Sequence, residues 1–162
     1  MTSNYFLAAI LAKYCSRTCS GVYSSNNLPS IERLRNKSVI CNLSRGGEEW
    51  SHFVAILVSE NDVHYIDSFG LPIIVREIRK HFESMKIHFA RVKIQGDDAL
   101  TCGLFALGVC MAYERGIPIE RLYSRYDKRD LKRNDRIVAK FVSECVRRIS
   151  DRDNLTFTAR EV

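Results

Sequence analysis

The segment QGDDALTCGLFALGVC, residues 95–110, constrains the chain most because it places a cysteine at the start of an apolar helix. The residues that follow Gly103 are apolar on nearly every side of that helix, which is typical of a central, buried helix. Cys102 then lies at the helix N-terminus, where unpaired N–H groups and the helix dipole favour a thiolate. Thr101 or the pair Asp97–Asp98 could cap the helix. Taken alone, the segment also fits a buried structural cysteine.

The length and composition predict one soluble domain. The chain has 162 residues, of which 46% are hydrophobic and 27% charged, so residues 1–162 are expected to form a single core with a polar tail at about 151–162. No apolar run approaches the roughly 18 residues of a membrane span, which excludes a membrane-spanning class. The N-terminal stretch MTSNYFLAAILAKYC has no basic residue ahead of its apolar part, so no signal peptide is expected.

Six cysteines without a secretory signal are typical of free thiols in an intracellular, reducing compartment. Two of them, Cys15 and Cys19, are one helical turn apart, but no second pair at metal-ligand spacing accompanies them, so no metal site is predicted. Core or surface positions are expected for the cysteines other than Cys102: Cys15, Cys19, Cys41, Cys110 and Cys145.

The net charge of +6 is concentrated in the stretch 121–148. A basic patch there could bind nucleic acid or an acidic partner, and the alternative is the solvated face of a helix. No nucleic-acid-binding motif accompanies the charge. The candidate DNA contacts are Lys128, Arg129, Lys132, Arg133 and Arg136, with Arg125 and Lys140 nearby.

Periodicity and turn residues predict the other elements. Helices are expected at 3–19 (capped by Ser3 or Asn4), at 72–85 and at 131–149. Strands are expected at 38–43 and 86–95, irregular chain at 21–30, a flexible loop at 45–49 and a basic linker after the Cys102 helix.

A β-hairpin is predicted by two runs of strand-forming residues, His52–Val58 and Val63–Phe69, separated by a short polar turn. Side chains alternate between the faces of a sheet, so an even-length loop puts His52 and Asp67 on the same face, two positions from direct register. The spacing permits a contact between imidazole and carboxylate, which fixes the tautomer of a histidine and raises its basicity. An exposed cross-strand pair without function is the alternative.

The other three histidines are weaker candidates. His64 has the opposite parity on the return strand, whereas His81 and His88 fall in or beside a predicted helix without an obvious carboxylate partner.

Together, His52, Asp67, Gln95 and Cys102 supply the group types that cysteine-dependent acyl transfer requires. A thiolate needs a general base, the base needs an orienting carboxylate, and the tetrahedral oxyanion needs preorganised donors. The side-chain amide of Gln95 and the backbone N–H of Cys102 would be those donors.

The order His, Asp, Gln, Cys, with the glutamine seven residues before the cysteine, resembles the adenovirus protease (adenain) and its relatives in viruses and virus-like transposons. The same clan includes the SUMO-specific cysteine peptidases. HFVAILVSENDVHYIDSFG is similar to the family's histidine and acidic motif, TCGLF is similar to its nucleophile motif, and GVYSSNNLP matches more loosely. The resemblance covers about residues 20–113. One departure is Phe53, which stands where the family usually has tryptophan directly after the histidine.

The resemblance implies an α/β (α+β) papain-like fold, with a small mixed, largely antiparallel sheet flanked by helices and a central nucleophile helix beside a groove. It implies Cys102 as nucleophile, His52 as general base, Asp67 as its orienting acid and Gln95 in the oxyanion hole. No cofactor is required, although relatives use DNA and a short peptide as activators. The implied protein is a monomer.

Three functions are compatible with these features. The first is a viral or transposon-type maturation endopeptidase that cuts capsid or precursor proteins near glycine residues, located in the host nucleus or virion if viral. The second is a peptidase that removes SUMO or other ubiquitin-like modifiers. The third is a non-enzymatic basic nucleic-acid-binding protein in which Cys102 belongs to the core. An acyltransferase built on the same residues is a variant of the first two.

Overall fold

A five-stranded mixed sheet organises the fold. The structure, a computed structural model, describes residues 3–44 and 52–158. Its elements are α1 (Asn4–Tyr14), β1 (Cys19–Ser24), α2 (Ile31–Leu34), β2 (Lys37–Asn42), β3 (Phe53–Val58), β4 (Asp62–Ile66), α3 (Arg76–His81), β5 (Lys86–Phe89), α4 (Cys102–Glu114), α5 (Ile119–Tyr123) and α6 (Leu131–Thr158). The strands follow the order β1-β2-β3-β4-β5, with the two outer pairs parallel and the two inner pairs antiparallel. The predicted α/β class is confirmed.

β3 is the central strand, and all six of its residues are buried. Its odd-numbered residues, Phe53 to Leu57, join a core with α1 and α4, whereas its even-numbered residues, Val54 to Val58, join a second core with α2 and α3. A strand that is covered on both faces is apolar at every position. This double burial explains the uninterrupted run FVAILV.

α4 is the central helix, as the sequence predicts. It begins at Cys102, and nine of its thirteen residues are buried. It packs against β2, β3, α1, α5 and α6. Such a helix must be apolar nearly all round, so Cys102 is held by a rigid, buried element.

The hairpin has the predicted register. Ala55 lies opposite Ile66 and Leu57 opposite His64, and the turn is closed by a hydrogen bond from the Ser59 N–H to the Asp62 carbonyl at 2.9 Å. The strands are shorter than predicted, because the chain leaves the ladder before Asp67.

The N-terminal part differs from the prediction at one strand. The predicted cap of α1 is present, since Ser3 Oγ accepts a hydrogen bond from the Phe6 N–H at 3.2 Å, but the helix ends at Tyr14 rather than near residue 19. Residues 19–24 form β1 by parallel pairing with β2. The sequence predicts the end of a helix and irregular chain for this stretch. The loop predicted at 45–49 lies outside the described residues.

The helix predicted at 72–85 is confined to the six residues of α3. Ile74 was expected to face inward and is 64% exposed. Residues before α3 follow an irregular path, held by a hydrogen bond from the Arg79 side chain to the Ile73 carbonyl at 2.6 Å. This side-chain contact replaces the expected first helical turn.

The predicted strand at 86–95 ends at Phe89, but its last residues stay beside the sheet. The N–H groups of Ile94 and Gln95 both donate to the Ser68 carbonyl, at 2.8 and 3.1 Å. These hydrogen bonds hold Gln95 against Ser68, the residue that directly follows Asp67 in the sequence.

The C-terminal part is more helical than predicted. The basic linker contains α5, and α6 begins at Leu131 as predicted but continues to Thr158, so residues 151–158 of the expected polar tail are helical. Within the described residues, no helix combines the length and the apolar character needed to cross a membrane.

Gly70 allows the segment after β4 to pass close to the segment that precedes Gln95. Its φ is +70°, and a Cβ built on it would lie 2.7 Å from the carbonyl carbon and 2.8 Å from the nitrogen of Val92. Backbone atoms cannot move aside cheaply, so both the conformation and the space require glycine here.

We therefore expect Gly70→Ala to lower the free energy of unfolding by roughly 3 kcal/mol, from steric contact added to backbone strain. Gly116→Ala is the matched control, because Gly116 has a similar φ of +66° with nothing within 4 Å of its Cβ position; it should lose only about 1 kcal/mol. Urea denaturation of both variants measures the difference. Equal losses would show that the contact with Val92 does not constrain the chain.

Candidate active site

His52 and Asp67 meet at one end of the hairpin, as the parity of the two strands predicts. His52 immediately precedes β3, Asp67 immediately follows β4, and His52 Nε2 lies 2.8 Å from Asp67 Oδ1. The carboxylate is 2% exposed and also accepts a hydrogen bond from the Phe69 N–H at 2.7 Å. A buried carboxylate needs such donors, and here they fix the imidazole in one orientation.

Cys102 completes the contact from the first turn of α4. Its thiol forms a side-chain hydrogen bond with His52 and interacts with the backbone N–H groups of Phe53 and Gly103. Because Nε2 of His52 faces Asp67, Nδ1 is the ring nitrogen that remains for the thiol. The Phe69 ring lies 4.9 Å from the imidazole, centroid to centroid, and covers one side of it.

The electrostatics of the pair favour charge separation. Burial by itself lowers the pKa of His52, but its hydrogen bonds with Asp67 and Cys102 raise that pKa to about 9. Burial by itself raises the pKa of the Cys102 thiol, but the hydrogen bonds with His52 and with the backbone of Phe53 and Gly103 hold the pKa below its usual value. Both shifts therefore favour the charged forms, a thiolate beside an imidazolium.

Gln95 lies next to this cluster without a direct hydrogen bond to Cys102 among the contacts of the described residues. Its side chain is 1% exposed. Nε2 donates to the Ala99 carbonyl at 2.6 Å, and Oε1 accepts from Ser68 Oγ at 2.6 Å. Because a carbonyl only accepts, the contact with Ala99 fixes which end of the amide is the nitrogen. The second N–H of that nitrogen has no partner among the contacts of the described residues.

Ser68 is a site residue that sequence reasoning missed. It connects the Asp67 side of the site with the Gln95 side through both its carbonyl and its hydroxyl. The signal was present in the sequence, since Ser68 belongs to the motif DSFG, but nothing in the pattern assigned it a partner.

The expected groove between sheet and helix is narrow beside Cys102. A small cavity there is bounded by Phe53 and Ile66 of the sheet side and by Phe105 of α4. A larger cavity of about 500 Å³ lies along β4, β5 and α5, and shares Ile66, Tyr123 and Tyr126 with the small one.

The prediction that His88 lacks a carboxylate partner is wrong. His88 Nε2 lies 2.7 Å from Asp62 Oδ1, and its ring stacks on His64 with centroids 4.9 Å apart. The reason is that β5 pairs in parallel with β4, which puts His64 and His88 opposite each other. This pair lines the larger cavity and takes no part in the contact between His52, Asp67 and Cys102.

The candidate DNA contacts are all exposed. They lie on the segment that leads into α6 and on its first two turns: Lys128, Arg129, Lys132, Arg133 and Arg136. Exposure is compatible with both of the sequence-based alternatives, a nucleic-acid surface and a solvated helix.

A second thiol has a lowered pKa. The hydrogen bond with Cys110 lowers the pKa of Cys19 to about 7, although burial opposes the change. Cys15, Cys41 and Cys110 are buried, whereas Cys19 is half-buried. Labelling experiments must therefore separate Cys19 from Cys102.

Comparisons with known proteins give little further identification. No protein-family model matches the chain, and no curated protein sequence matches it. One solved structure that matches is the SUMO protease Ulp1 with its catalytic cysteine oxidized to a sulfenic acid. It is 14% identical, the match covers 83% of this chain and 74% of that one, and the TM-score is 0.44. A likeness at this level carries no conclusion about activity.

The thiolate should depend on His52. In a Cys19→Ser background, we expect iodoacetamide to alkylate Cys102 with an apparent pKa below 9.0. His52→Ala should raise that pKa, because the hydrogen bond with His52 no longer opposes the effect of burial. Mass spectrometry of the labelled peptide across a pH series measures the shift. His88→Ala is the matched control, since it removes another carboxylate-paired histidine; identical profiles for both variants would contradict the assignment.

Proposed function

We propose that the chain is a cysteine peptidase in which Cys102 is the nucleophile. The observation that supports this most is the position of one imidazole, His52, in hydrogen bonds with both a buried carboxylate and a thiol at a helix N-terminus. A structural cysteine requires neither an orienting carboxylate nor a basic partner. The non-enzymatic alternative leaves this arrangement unexplained.

The arrangement supports a two-stage reaction in which the acyl group passes from the substrate to Cys102 and then to water. The Cys102 thiolate attacks the scissile carbonyl carbon, the carbonyl oxygen becomes an oxyanion, and the C–N bond breaks as the His52 imidazolium gives its proton to the leaving amine. Water then loses a proton to the neutral imidazole and attacks the thioester. The carboxylic acid leaves, and the thiolate–imidazolium pair is restored.

Asp67 and Gln95 have supporting roles in this proposal. Asp67 holds His52 in the tautomer that presents Nδ1 to the thiol. The free N–H of the Gln95 amide and the backbone N–H of Cys102 are the proposed oxyanion donors. Because Oε1 and the other N–H are already bonded, the amide is oriented before substrate arrives.

The narrower proposal is a maturation endopeptidase of the adenovirus-protease type, acting as a monomer on capsid or precursor proteins near glycine residues in a host nucleus or virion. It rests on the resemblance of the two motifs around His52–Gly70 and Gln95–Phe105. DNA as an activator is part of this proposal, and the exposed basic residues at the start of α6 are where it would bind.

The activity should have a bell-shaped pH dependence. It should rise as Cys102 ionises below its usual pKa and fall as pH passes about 9, where His52 loses the proton that the leaving amine needs. Rates of cleavage of a peptide aminocoumarin ending in two glycines, measured across pH, give the profile. Cys102→Ala should lose at least about ten-thousand-fold, and Gln95→Ala about 100- to 1000-fold. A rate unaffected by Cys102→Ala rejects the proposal.

The substrate class is tested by three probes on the same protein. Casein reports endopeptidase activity, SUMO and ubiquitin with a C-terminal propargylamide report a modifier peptidase, and added duplex DNA at low and high salt reports activation. Casein cleavage that DNA increases at low salt supports the narrower proposal. Capture of a modifier probe without casein cleavage replaces it by the modifier-peptidase alternative.

A further inference from the structure

The loop between Gln95 and Cys102, residues 96–101, is held by one carboxylate from α6. Asp135 Oδ2 accepts a hydrogen bond from the Gly96 N–H at 3.2 Å, and Asp135 Oδ1 accepts one from Thr101 Oγ1 at 2.5 Å. Gly96 is the first residue of the loop and Thr101 is the last. A single side chain therefore fixes both ends of the segment that separates the proposed oxyanion donor from the proposed nucleophile.

The backbone of the loop lies close to this carboxylate. A Cβ on Gly96 would lie 2.9 Å from Asp135 Oδ2, so a larger residue at this position would displace the carboxylate. Within the loop, the Ala99 N–H donates to the Gly96 carbonyl at 3.2 Å, and the Ala99 carbonyl accepts from Gln95 Nε2. The position of the Gln95 amide thus depends on the position of the loop.

The adjacent residue Asn134 fixes the chain just before Gln95. Asn134 is fully buried, and its Nδ2 donates to the Ile94 carbonyl at 3.0 Å and to the Asp127 carbonyl at 2.8 Å. Its Oδ1 accepts from the Asp127 N–H at 2.8 Å. Asn134 and Asp135 together tie α6 to both ends of the segment from Ile94 to Thr101.

Asp135 also binds the hydroxyl of Thr101, the N-cap residue of α4. A threonine at the N-cap usually accepts a hydrogen bond from an N–H of the first turn, but the Thr101 side chain makes no such bond and donates to Asp135 instead. Of the first-turn N–H groups, that of Gly103 interacts with the thiol, whereas that of Leu104 donates to the Thr101 carbonyl at 2.9 Å. The diversion of the Thr101 hydroxyl favours an anion at the helix start.

We propose that Asp135 is a positioning residue that holds the loop of residues 96–101, so that the Gln95 amide and the backbone N–H of Cys102 face the developing oxyanion. The inference rests on the proposed peptidase function and names the part of the chain that aligns its oxyanion donors. Asp135 touches neither His52 nor Asp67 in the described contacts. Its removal should therefore weaken transition-state stabilisation and leave the ionisation of the thiol unchanged.

The test compares Asp135→Ala with Asp130→Ala. Asp130 is an exposed aspartate at the start of the same helix, and its side chain accepts only from the Arg133 N–H of α6 in the described contacts, so its variant controls for loss of helix stability. With the diglycine aminocoumarin peptide, we expect Asp135→Ala to lower kcat about 10- to 100-fold with little change in KM. Asp130→Ala should keep the wild-type kcat.

Two further readouts separate positioning from general damage. The pH profile of Cys102 alkylation should be the same in wild type and Asp135→Ala, and the amide exchange of Gly96, followed by nuclear magnetic resonance, should accelerate in Asp135→Ala alone. Thr101→Val, which removes only the hydroxyl, should lower kcat in the same direction and serves if Asp135→Ala does not fold.

The outcomes distinguish this inference from the proposed function. Wild-type protein without Cys102-dependent cleavage overturns the proposed function, and this inference falls with it. An active wild type whose Asp135→Ala and Thr101→Val variants retain the kcat of Asp130→Ala overturns the inference alone. A shifted alkylation profile in Asp135→Ala also overturns it, because the effect would then act through the thiol.

Discussion

The candidate site depends on the turn Asp67–Gly70 and on one carbonyl within it. The Ser68 carbonyl accepts two backbone hydrogen bonds, from Ile94 and Gln95, while the Gly70 N–H donates back to the Asp67 carbonyl at 2.9 Å. The close contact between Gly70 and Val92 also holds together the two segments that carry Asp67 and Gln95. A single turn thus fixes the carboxylate that binds His52 and the glutamine at the start of the loop that leads to Cys102.

The charges of the site depend on each other in a similar way. Burial favours the neutral forms of both His52 and Cys102; Asp67 first and Cys102 second favour the charged form of His52, and His52 favours the charged form of Cys102. Removing His52 leaves the buried thiol without its counter-charge, whereas removing Cys102 leaves His52 paired with Asp67. The effects of His52 and Cys102 substitutions on the rate should therefore be far from additive, as is expected of groups that act as one unit.

The sequence predicts the parts of this site that depend on local spacing. Strand parity placed His52 beside Asp67, and the apolar run after Gly103 placed Cys102 at the start of a buried helix; both are confirmed. The roles assigned to these residues and to Gln95 stay predictions. The partners that neighbouring elements supply could not be predicted, because they depend on packing between segments distant in the chain.

Long-range pairing also explains the main errors. β1 forms only because β2 lies parallel to it, and His88 gains Asp62 only because β5 crosses over to pair with β4. A parallel pair requires a crossover connection, so its partner cannot be read from adjacent turn residues. In the same way, Thr101 has the residue type of a cap, yet its hydroxyl is bound by a carboxylate more than thirty residues later.

The site therefore consists of two halves that control different properties. The hairpin half, with His52 and Asp67, governs the charge of the thiol, whereas the loop half, with Gln95, is attached to α6 through buried or half-buried polar side chains. Leaving a buried polar group without its partner costs about 1–3 kcal/mol, so separation of α6 from the loop requires a compensating contact. Replacement of Asp135 would then move the proposed oxyanion donors before it changed the pKa of Cys102.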